Sequence, residues 1–179
     1  VVGICPWNFP FFVMARKVAP SLLVGCTAVI KPSSVAPATT MEFARLVAQE
    51  VDLPAGVLNI ITGGGGSMGE ALASSPQADM VSLTGSVEAG QRIIAASAEN
   101  VTKVSLELGG KAPAIVCQDA DLDLAVRAVT ASRTIFSGQV CNCAERLYVH
   151  ESIADQFAEK LAVAFNNVRL GSPFDDTAP

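Results

Sequence analysis

The fold is decided by the stretch Val57-Leu58-Asn59-Ile60-Ile61 and by the glycine-rich run that follows it, Gly63-Gly64-Gly65-Gly66-Ser67-Met68-Gly69. A short apolar run bounded by turn residues predicts a buried strand, and the glycines predict a tight turn that opens a helix. Gly64, Gly66 and Gly69 match G-x-G-x-x-G in the strand-to-helix context of a dinucleotide-binding turn. A flexible turn without a ligand explains the same residues equally well, because four consecutive glycines match several patterns.

The same alternation continues on both sides of this stretch. Strands are predicted at 27–30, 57–61, 80–83, 104–108, 114–117 and 146–149, and amphipathic helices at 11–23, 39–51, 87–98, 122–135 and 153–168. Continuous apolar strands alternating with helices predict an α/β fold, a Rossmann-like parallel sheet with helices on both faces. Because the rhythm changes near Lys111, we expect a domain boundary there, between 1–110 and 111–179.

Helix starts carry their own signals. Thr39 with Glu42, and Ser152 with Asp155, fit the capping-box spacing. Ser86 follows a predicted strand and is a natural N-cap for the next helix, whose free N–H groups could hold an anion.

Composition excludes several classes of protein. Half of the 179 residues are apolar and 16% are charged, which excludes a disordered chain. A net charge of −5 and few aromatic residues argue against a nucleic-acid partner, and no apolar run reaches the ~18 residues that span a bilayer. Five cysteines without a secretory segment indicate a reducing compartment, here the cytoplasm, and one His with one close cysteine pair argues against a metal site. The chain begins inside an apolar run and ends in a turn-like sequence, so we expect an internal piece of a longer protein.

Three side chains are candidates for a catalytic role. Asn8 is held between two prolines, so its amide could donate to an oxyanion; a surface Asn in a turn is the alternative. Glu107 ends an apolar strand, where burial would raise its pKa and suit a general base; an ion pair with a nearby lysine is the alternative. Cys141 follows a glycine-containing turn, where a thiol can become reactive; a small buried hydrophobe is the alternative.

Taken in order, the motifs resemble those of the NAD(P)-dependent aldehyde dehydrogenase superfamily. They are Pro-Trp-Asn-Phe-Pro at 6–10, Lys-Pro-Ser at 31–33, Thr-Gly-Ser at 84–86, Glu-Leu-Gly-Gly-Lys at 107–111 and Gly-Gln-Val-Cys at 138–141. The segments 14–17 and 142–146 look most like the branch that acts on lactaldehyde and glycolaldehyde. The resemblance implies that 1–110 is a partial cofactor-binding domain and that 111–179 is the beginning of the α/β catalytic domain that carries the nucleophilic cysteine. Full-length relatives are much longer, so the resemblance also implies that this piece could be inactive alone.

The resemblance implies a role for each matched residue. Cys141 matches the nucleophile that attacks the aldehyde carbon, and Asn8 matches the amide that stabilises the oxyanion together with the Cys141 N–H. Glu107 matches the base that activates water to hydrolyse the thioester, and Lys17 matches a lysine of the proton relay. Covalent catalysis of this kind splits one hard step into two easier ones.

NAD or NADP is the implied cofactor. Lys31 matches the adenosine-ribose contact, and Gly85 and Ser86 match the pyrophosphate contact. The remaining contacts assigned to the cofactor are Ile4, Cys5, Pro6, Trp7, Ser33, Ser34, Gly65, Gly69, Thr84, Leu108 and Gly109. Glu88, near the acidic position of the glycine fingerprint, is then expected to be a solvated helix residue.

Ser34 stands where NAD-preferring relatives usually carry Glu, three residues after the matched lysine Lys31. A hydroxyl does not repel a 2′-phosphate and can donate to it, so we expect dual use or a preference for NADP.

Arg16, Phe9 and Val13 are expected to contact the substrate. A cation at Arg16 would favour small hydroxylated or anionic aldehydes, whereas a surface Arg without that role is equally compatible with the sequence.

Three other functions stay open: a succinate-semialdehyde-type or other aldehyde dehydrogenase, an acylating enzyme that uses coenzyme A, and a non-catalytic structural relative. The implied full-length protein is a homo-oligomer, a dimer or tetramer, with a small aldehyde as substrate and no membrane partner.

Overall fold

A computed structural model describes residues 1–172 and 174 of the chain. The chain divides into two compact units between Gly109 and Gly110. Each unit has its own sheet and its own hydrophobic cluster.

The first unit is a five-stranded sheet in the order β3-β2-β1-β4-β5, with every neighbouring pair parallel. Its strands are β1 (Val2–Ile4), β2 (Ala28–Lys31), β3 (Leu58–Ile60), β4 (Met80–Thr84) and β5 (Lys103–Glu107). Its helices are α1 (Pro10–Leu23), α2 (Ala38–Glu50), α3 (Glu70–Ala73) and α4 (Val87–Ser97). The predicted α/β fold with a parallel sheet is confirmed. The strand order reverses between β1 and β4, which is the place where open α/β sheets bind ligands.

Helices cover both faces of this sheet because successive residues of β1 point to opposite sides. Val2 and Ile4 pack with Ile93 of α4 and Ala73 of α3 in one cluster. Cys5 packs on the other face, in a cluster with the α1 residues Met14 and Val18 and the β2 residues Ala28 and Ile30. All of these side chains are at most 6% exposed.

The second unit contains β6 (Pro113–Val116) and β7 (Arg146–Val149), which pair in parallel, with α5 (Leu122–Thr134) and α6 (Ala154–Asn166). Val116, the α5 residues Val126 and Val129, and the α6 residues Phe157 and Leu161 form its cluster. This unit therefore repeats the strand–helix–strand–helix order expected after Lys111.

Two of the three predicted caps are wrong. Thr39 lies inside α2, because the helix begins at Ala38 after Pro37, and no side chain caps it. Ser152 lies in a 3-10 turn over Glu151–Ile153, where its N–H donates to His150 Nδ1 at 3.3 Å instead of starting α6. Ser86 is confirmed as a cap, since its Oγ accepts the N–H of Ala89 at 3.1 Å.

Across residues 1–172 and 174, no helix is both long enough and apolar enough to cross a membrane. Within the same residues, no group of three or more His, Cys, Asp or Glu side chains is placed to hold a metal ion.

Candidate active site

The carboxyl edge of the first sheet gathers most of the predicted site residues. Ile4, Lys31, Thr84 and Glu107 are the last residues of β1, β2, β4 and β5. Since all five strands are parallel, these ends and the loops that follow them lie along one edge. Open α/β sheets bind ligands outside the carboxyl ends of their strands, so a nucleotide site is expected at this edge.

A groove of about 230 Å³ opens at this edge. Four predicted cofactor residues line it: Ile4, Gly65, Gly69 and Ser86. The remaining lining residues are Gly66, Glu70, Leu83, Glu88, Ala89, Arg92 and Ile93. Sequence analysis did not single out Glu70 and Arg92, and it expected Glu88 to be a solvated helix residue. Glu88 is indeed exposed, yet it also lines the groove.

The shape and chemistry of the groove suit a dinucleotide. Gly65–Gly69 form a single π-helical turn, so one wall carries little side-chain bulk. Ile4, Leu83 and Ile93 give an apolar surface for a base, and the N-terminus of α4 at Ser86 offers free N–H groups for phosphate. The residues present therefore fit the cofactor that the sequence implies.

Lys31 lies beneath the groove. Its side chain is 2% exposed, and Nζ donates to the carbonyl oxygens of Pro32 at 2.9 Å and Gly63 at 3.0 Å. Burial lowers its pKa from the usual lysine value. A Cβ at Gly69 would lie 3.8 Å from Lys31 Cε, so this lysine abuts the wall of the groove.

Lys17 packs over Gly3, on the face of the sheet that α1 covers. A Cβ at Gly3 would lie 2.6 Å from Ile30 Cδ1 and 3.2 Å from Lys17 Cδ, so only glycine leaves room for this packing. Lys17 Nζ donates to Ser82 Oγ on β4 at 2.8 Å. Burial lowers the pKa of Lys17, although its interactions with Cys5 and Glu107 act in the opposite direction. The predicted relay lysine is thus held inside the first unit, within electrostatic reach of Glu107.

Cys5 is the neighbour of both buried lysines. It is 4% exposed, and its N–H donates to the carbonyl oxygen of Lys31 at 2.9 Å. Burial raises the pKa of its thiol to about 11, although Lys17 and Lys31 act in the opposite direction. The thiol is therefore protonated and shielded, which separates it from a reactive cysteine.

The remaining predicted residues of the first unit differ in exposure. Glu107 is exposed, contrary to the burial expected after an apolar strand, because alternate residues of the edge strand β5 face outward. Trp7, Ser34, Ser86 and Gly109 are exposed as well. Half-buried positions are Pro6, Asn8, Phe9, Val13, Ser33, Thr84, Gly85 and Leu108.

Arg16 lies on the exposed face of α1. Its guanidinium carbon is 5.6 Å from the centre of the Phe12 ring, which in turn meets the Phe9 ring edge-on at 6.5 Å. Phe9 has a left-handed backbone, with φ 47° and ψ 48°, where α1 begins. These contacts give Arg16 a cation–π partner on its own helix.

Cys141 lies in the second unit, in the loop between α5 and β7. The run Phe136-Ser137-Gly138, which ends three residues before Cys141, has φ values of 50°, 56° and 75°. The thiol of Cys141 is exposed, whereas Cys143 is 3% exposed and donates its N–H to the Val140 carbonyl at 3.1 Å. Two cysteines two residues apart thus occupy opposite environments.

The backbone around Cys141 is tied to its own unit. A Cβ at Gly110 would lie 3.2 Å from the carbonyl oxygen of Cys141. The N–H of Ala144 donates to Ser132 Oγ at 3.0 Å, and Lys111 pairs with Glu145 at 2.7 Å. Gly110 and Lys111 therefore lie beside the cysteine loop of the second unit.

The comparison with known proteins now defines the class. The family model described as the aldehyde dehydrogenase family matches residues 1–179. The chain belongs to the aldehyde dehydrogenase family, whose members are oxidoreductases.

Individual relatives refine this picture. The chain is 57% identical to lactaldehyde dehydrogenase of Escherichia coli K12 over 96% of this chain and 36% of that protein. It is 46% identical to the succinate-semialdehyde dehydrogenase [NADP(+)] GabD of the same organism, over 97% of this chain and 36% of that protein. The chain thus spans about a third of the length of these curated relatives.

Solved structures agree with the fold. The crystal structure of lactaldehyde dehydrogenase from Escherichia coli superimposes with a TM-score of 0.95 at 55% identity, covering 99% of this chain and 37% of that one. Other solved members of the family hold bound NAD or NADP.

Proposed function

We propose that the full-length protein oxidises an aldehyde to a carboxylic acid with NAD or NADP, through a thioester on Cys141. One observation supports this proposal. This chain belongs to the family and has an exposed thiol at Cys141, with Glu107 and Asn8 at the matching motif positions. A chain recruited for a structural role would tolerate the loss of any of the three.

Each residue has a stated part in the reaction. The Cys141 thiolate adds to the aldehyde carbon, and the Asn8 amide and the Cys141 N–H donate to the oxyanion that forms. Bound NAD or NADP supplies the acceptor for the hydride that leaves this carbon. Glu107 takes a proton from water, whose oxygen attacks the thioester, so the acid departs and the thiol is regenerated.

Lys17 would hold a proton for this sequence. Its Nζ is buried and its pKa is lowered, so it can exchange a proton more readily near neutral pH than an exposed lysine can. Glu107 contributes to the electrostatic environment of Lys17, which supports a link between the two groups.

We propose small hydroxylated aldehydes, such as lactaldehyde or glycolaldehyde, as substrates. The 57% identical relative carries the name lactaldehyde dehydrogenase, while the succinate-semialdehyde relative is more distant at 46%. The role of Arg16 in this choice stays a prediction, as do the substrate contacts of Phe9 and Val13.

The residue at position 34 supports use of NADP as well as NAD. Ser34 is exposed and carries no charge that would repel a 2′-phosphate.

All five cysteines are free thiols, which supports a reducing, cytoplasmic compartment. A homo-oligomeric state, a dimer or tetramer, rests on the family resemblance alone.

Steady-state kinetics on the full-length enzyme test the proposal. Reduced cofactor is measured with lactaldehyde, glycolaldehyde and succinate semialdehyde, each with NAD or NADP and with or without coenzyme A. We expect the highest kcat/KM with a hydroxyaldehyde and no dependence on coenzyme A. Absence of turnover with every aldehyde would favour a structural relative, and a requirement for coenzyme A would favour the acylating branch.

A further inference from the structure

The cofactor groove contains a charged pair that the proposed reaction does not use. Arg92 of α4 reaches across to Glu70 at the start of α3, and Nη2 contacts Oε1. That carboxylate oxygen is shielded from solvent, whereas half of the Arg92 side chain stays exposed. The pair therefore spans the groove between two helices, with the guanidinium on the open side.

Arg92 also approaches the glycine turn closely. A Cβ at Gly66 would lie 3.0 Å from Arg92 Nη2, so the absence of a side chain makes room for the guanidinium. Among the described residues that line the groove, Arg92 carries the one positive charge, while Glu70 and Glu88 carry negative charge. Besides the N-terminus of α4 at Ser86, Arg92 is therefore the favourable partner for a phosphate among these lining residues.

Lys31 is less suited to bind a second phosphate. Its ammonium already donates to two backbone carbonyls, from Pro32 and Gly63, and it is buried. Arg92 has five N–H donors, and the planar fork of a guanidinium matches a phosphate bidentately. A Cβ at Gly69 would lie 3.8 Å from Lys31 Cε, so Lys31 lies behind the wall of the groove, whereas Arg92 lines the groove itself.

We propose that Arg92 is the specificity-determining contact for the 2′-phosphate of NADP, and that Glu70 holds the guanidinium in position until the phosphate replaces it. This inference rests on the proposed function, because it assigns the groove to the adenosine end of the cofactor. A ligand without the 2′-phosphate leaves the Arg92–Glu70 pair in place. NAD therefore binds independently of Arg92.

Binding to the full-length enzyme tests this assignment without turnover. Dissociation constants are measured by fluorescence titration for NADP, NAD, adenosine 2′,5′-bisphosphate and ADP. Arg92→Gln raises the constants for NADP and the 2′,5′-bisphosphate by about tenfold or more, the scale of a charged hydrogen bond. It changes those for NAD and ADP by less than about threefold, because neither ligand carries the 2′-phosphate.

Two further variants sharpen the comparison. Glu70→Gln tightens NADP, since it releases the guanidinium and removes a repelling carboxylate. Arg45→Gln is the control, because it breaks the exposed ion pair between Glu42 and Arg45 on α2, which lies outside the groove. It leaves all four constants unchanged.

Equal weakening of all four ligands by Arg92→Gln would overturn the proposal, because it would assign Arg92 a structural role. Unchanged binding of NADP would overturn it as well. In both cases the wild type still binds NAD or NADP, so the proposed function survives. A wild-type enzyme that binds neither dinucleotide would overturn the proposed function together with this inference.

Discussion

Cys141 and Cys143 are two residues apart and differ in access to solvent. The first is exposed after a run of left-handed residues, and the second is 3% exposed. In the full-length enzyme, Cys141→Ala is expected to abolish dehydrogenase activity, because it removes the thiol on which the proposed thioester forms. Cys143→Ala should retain most of it, as measured by steady-state formation of NAD(P)H. The opposite ranking of the two variants would show that Cys143 is the nucleophile.

Glu107 illustrates a residue whose position, and not its burial, supports its role. It ends the edge strand β5 and is exposed. Because water activation follows hydride transfer, Glu107→Gln should give one burst of NAD(P)H and then stall at the thioester. Stopped-flow absorbance measures the burst, and mass spectrometry of the stalled protein detects the acyl group. A burst that falls as much as the steady-state rate would place Glu107 in an earlier step.

Two helix caps of the same kind, one in each unit, can be compared by mutation. Ser86 Oγ accepts the N–H of Ala89 at 3.1 Å on α4, and Asp121 Oδ1 accepts the N–H of Leu124 at 3.0 Å on α5. Each should cost about 1 kcal/mol of stability when it is replaced by Ala. Ser86 also lines the groove, so Ser86→Ala alone should weaken dinucleotide binding.

Urea unfolding and fluorescence titration separate these two effects. Asp121→Ala serves as the control, because it removes a cap of the same kind in the second unit. If both variants weakened dinucleotide binding equally, the α4 N-terminus would have no special part in holding the cofactor.

Six of the seven strands and the longer helices could be predicted from the sequence because hydrophobic periodicity reports burial directly, whereas the central strand β1 was not predicted. Every predicted strand overlaps an observed one, from β2 to β7. Hydrophobic periodicity does not predict helix caps, and the predicted capping boxes at Thr39 and Ser152 are wrong. α2 begins at Ala38, directly after Pro37, so Thr39 lies inside the helix. The N–H of Ser152 donates to His150 Nδ1. In both places the local backbone geometry differs from the one that the four-residue capping pattern requires.

The Glu70–Arg92 pair had no detectable signal in the sequence. The two residues lie on different helices, and only the fold brings them to one groove. The packing of Lys17 over Gly3 is similar, since a glycine in a strand shows that something approaches closely but does not identify Lys17. Contacts between elements are thus the part of the site that sequence periodicity does not contain.

For the whole molecule, Cys5 links global stability to pH. The unfolded thiol loses its proton near its ordinary pKa of 9.0, whereas burial raises the folded pKa to about 11. Between these values the folded state binds more protons than the unfolded state, so stability falls as pH rises. The contribution is complete below pH 9 and is lost as pH approaches 11.

Urea unfolding of the 179-residue chain in reducing buffer from pH 8 to 11 checks this dependence. The wild type should lose stability relative to Cys5→Ala across the upper part of that range, by an amount on the order of 1–3 kcal/mol. Cys26→Ala, which removes an exposed thiol, should follow the wild type. Parallel curves for wild type and Cys5→Ala would show that this thiol titrates alike in both states.

The left-handed run at Phe136, Ser137 and Gly138 has a consequence for laboratory evolution. Each of the two residues with a Cβ carries roughly 1–2 kcal/mol of backbone strain, while a glycine there would cost about 0.5–1 kcal/mol in unfolded-state entropy. A library screened only for heat resistance should therefore enrich glycine at 136 and 137, and so loosen the chain that leads into Cys141. Selection on melting temperature and selection on turnover would then diverge at these two codons.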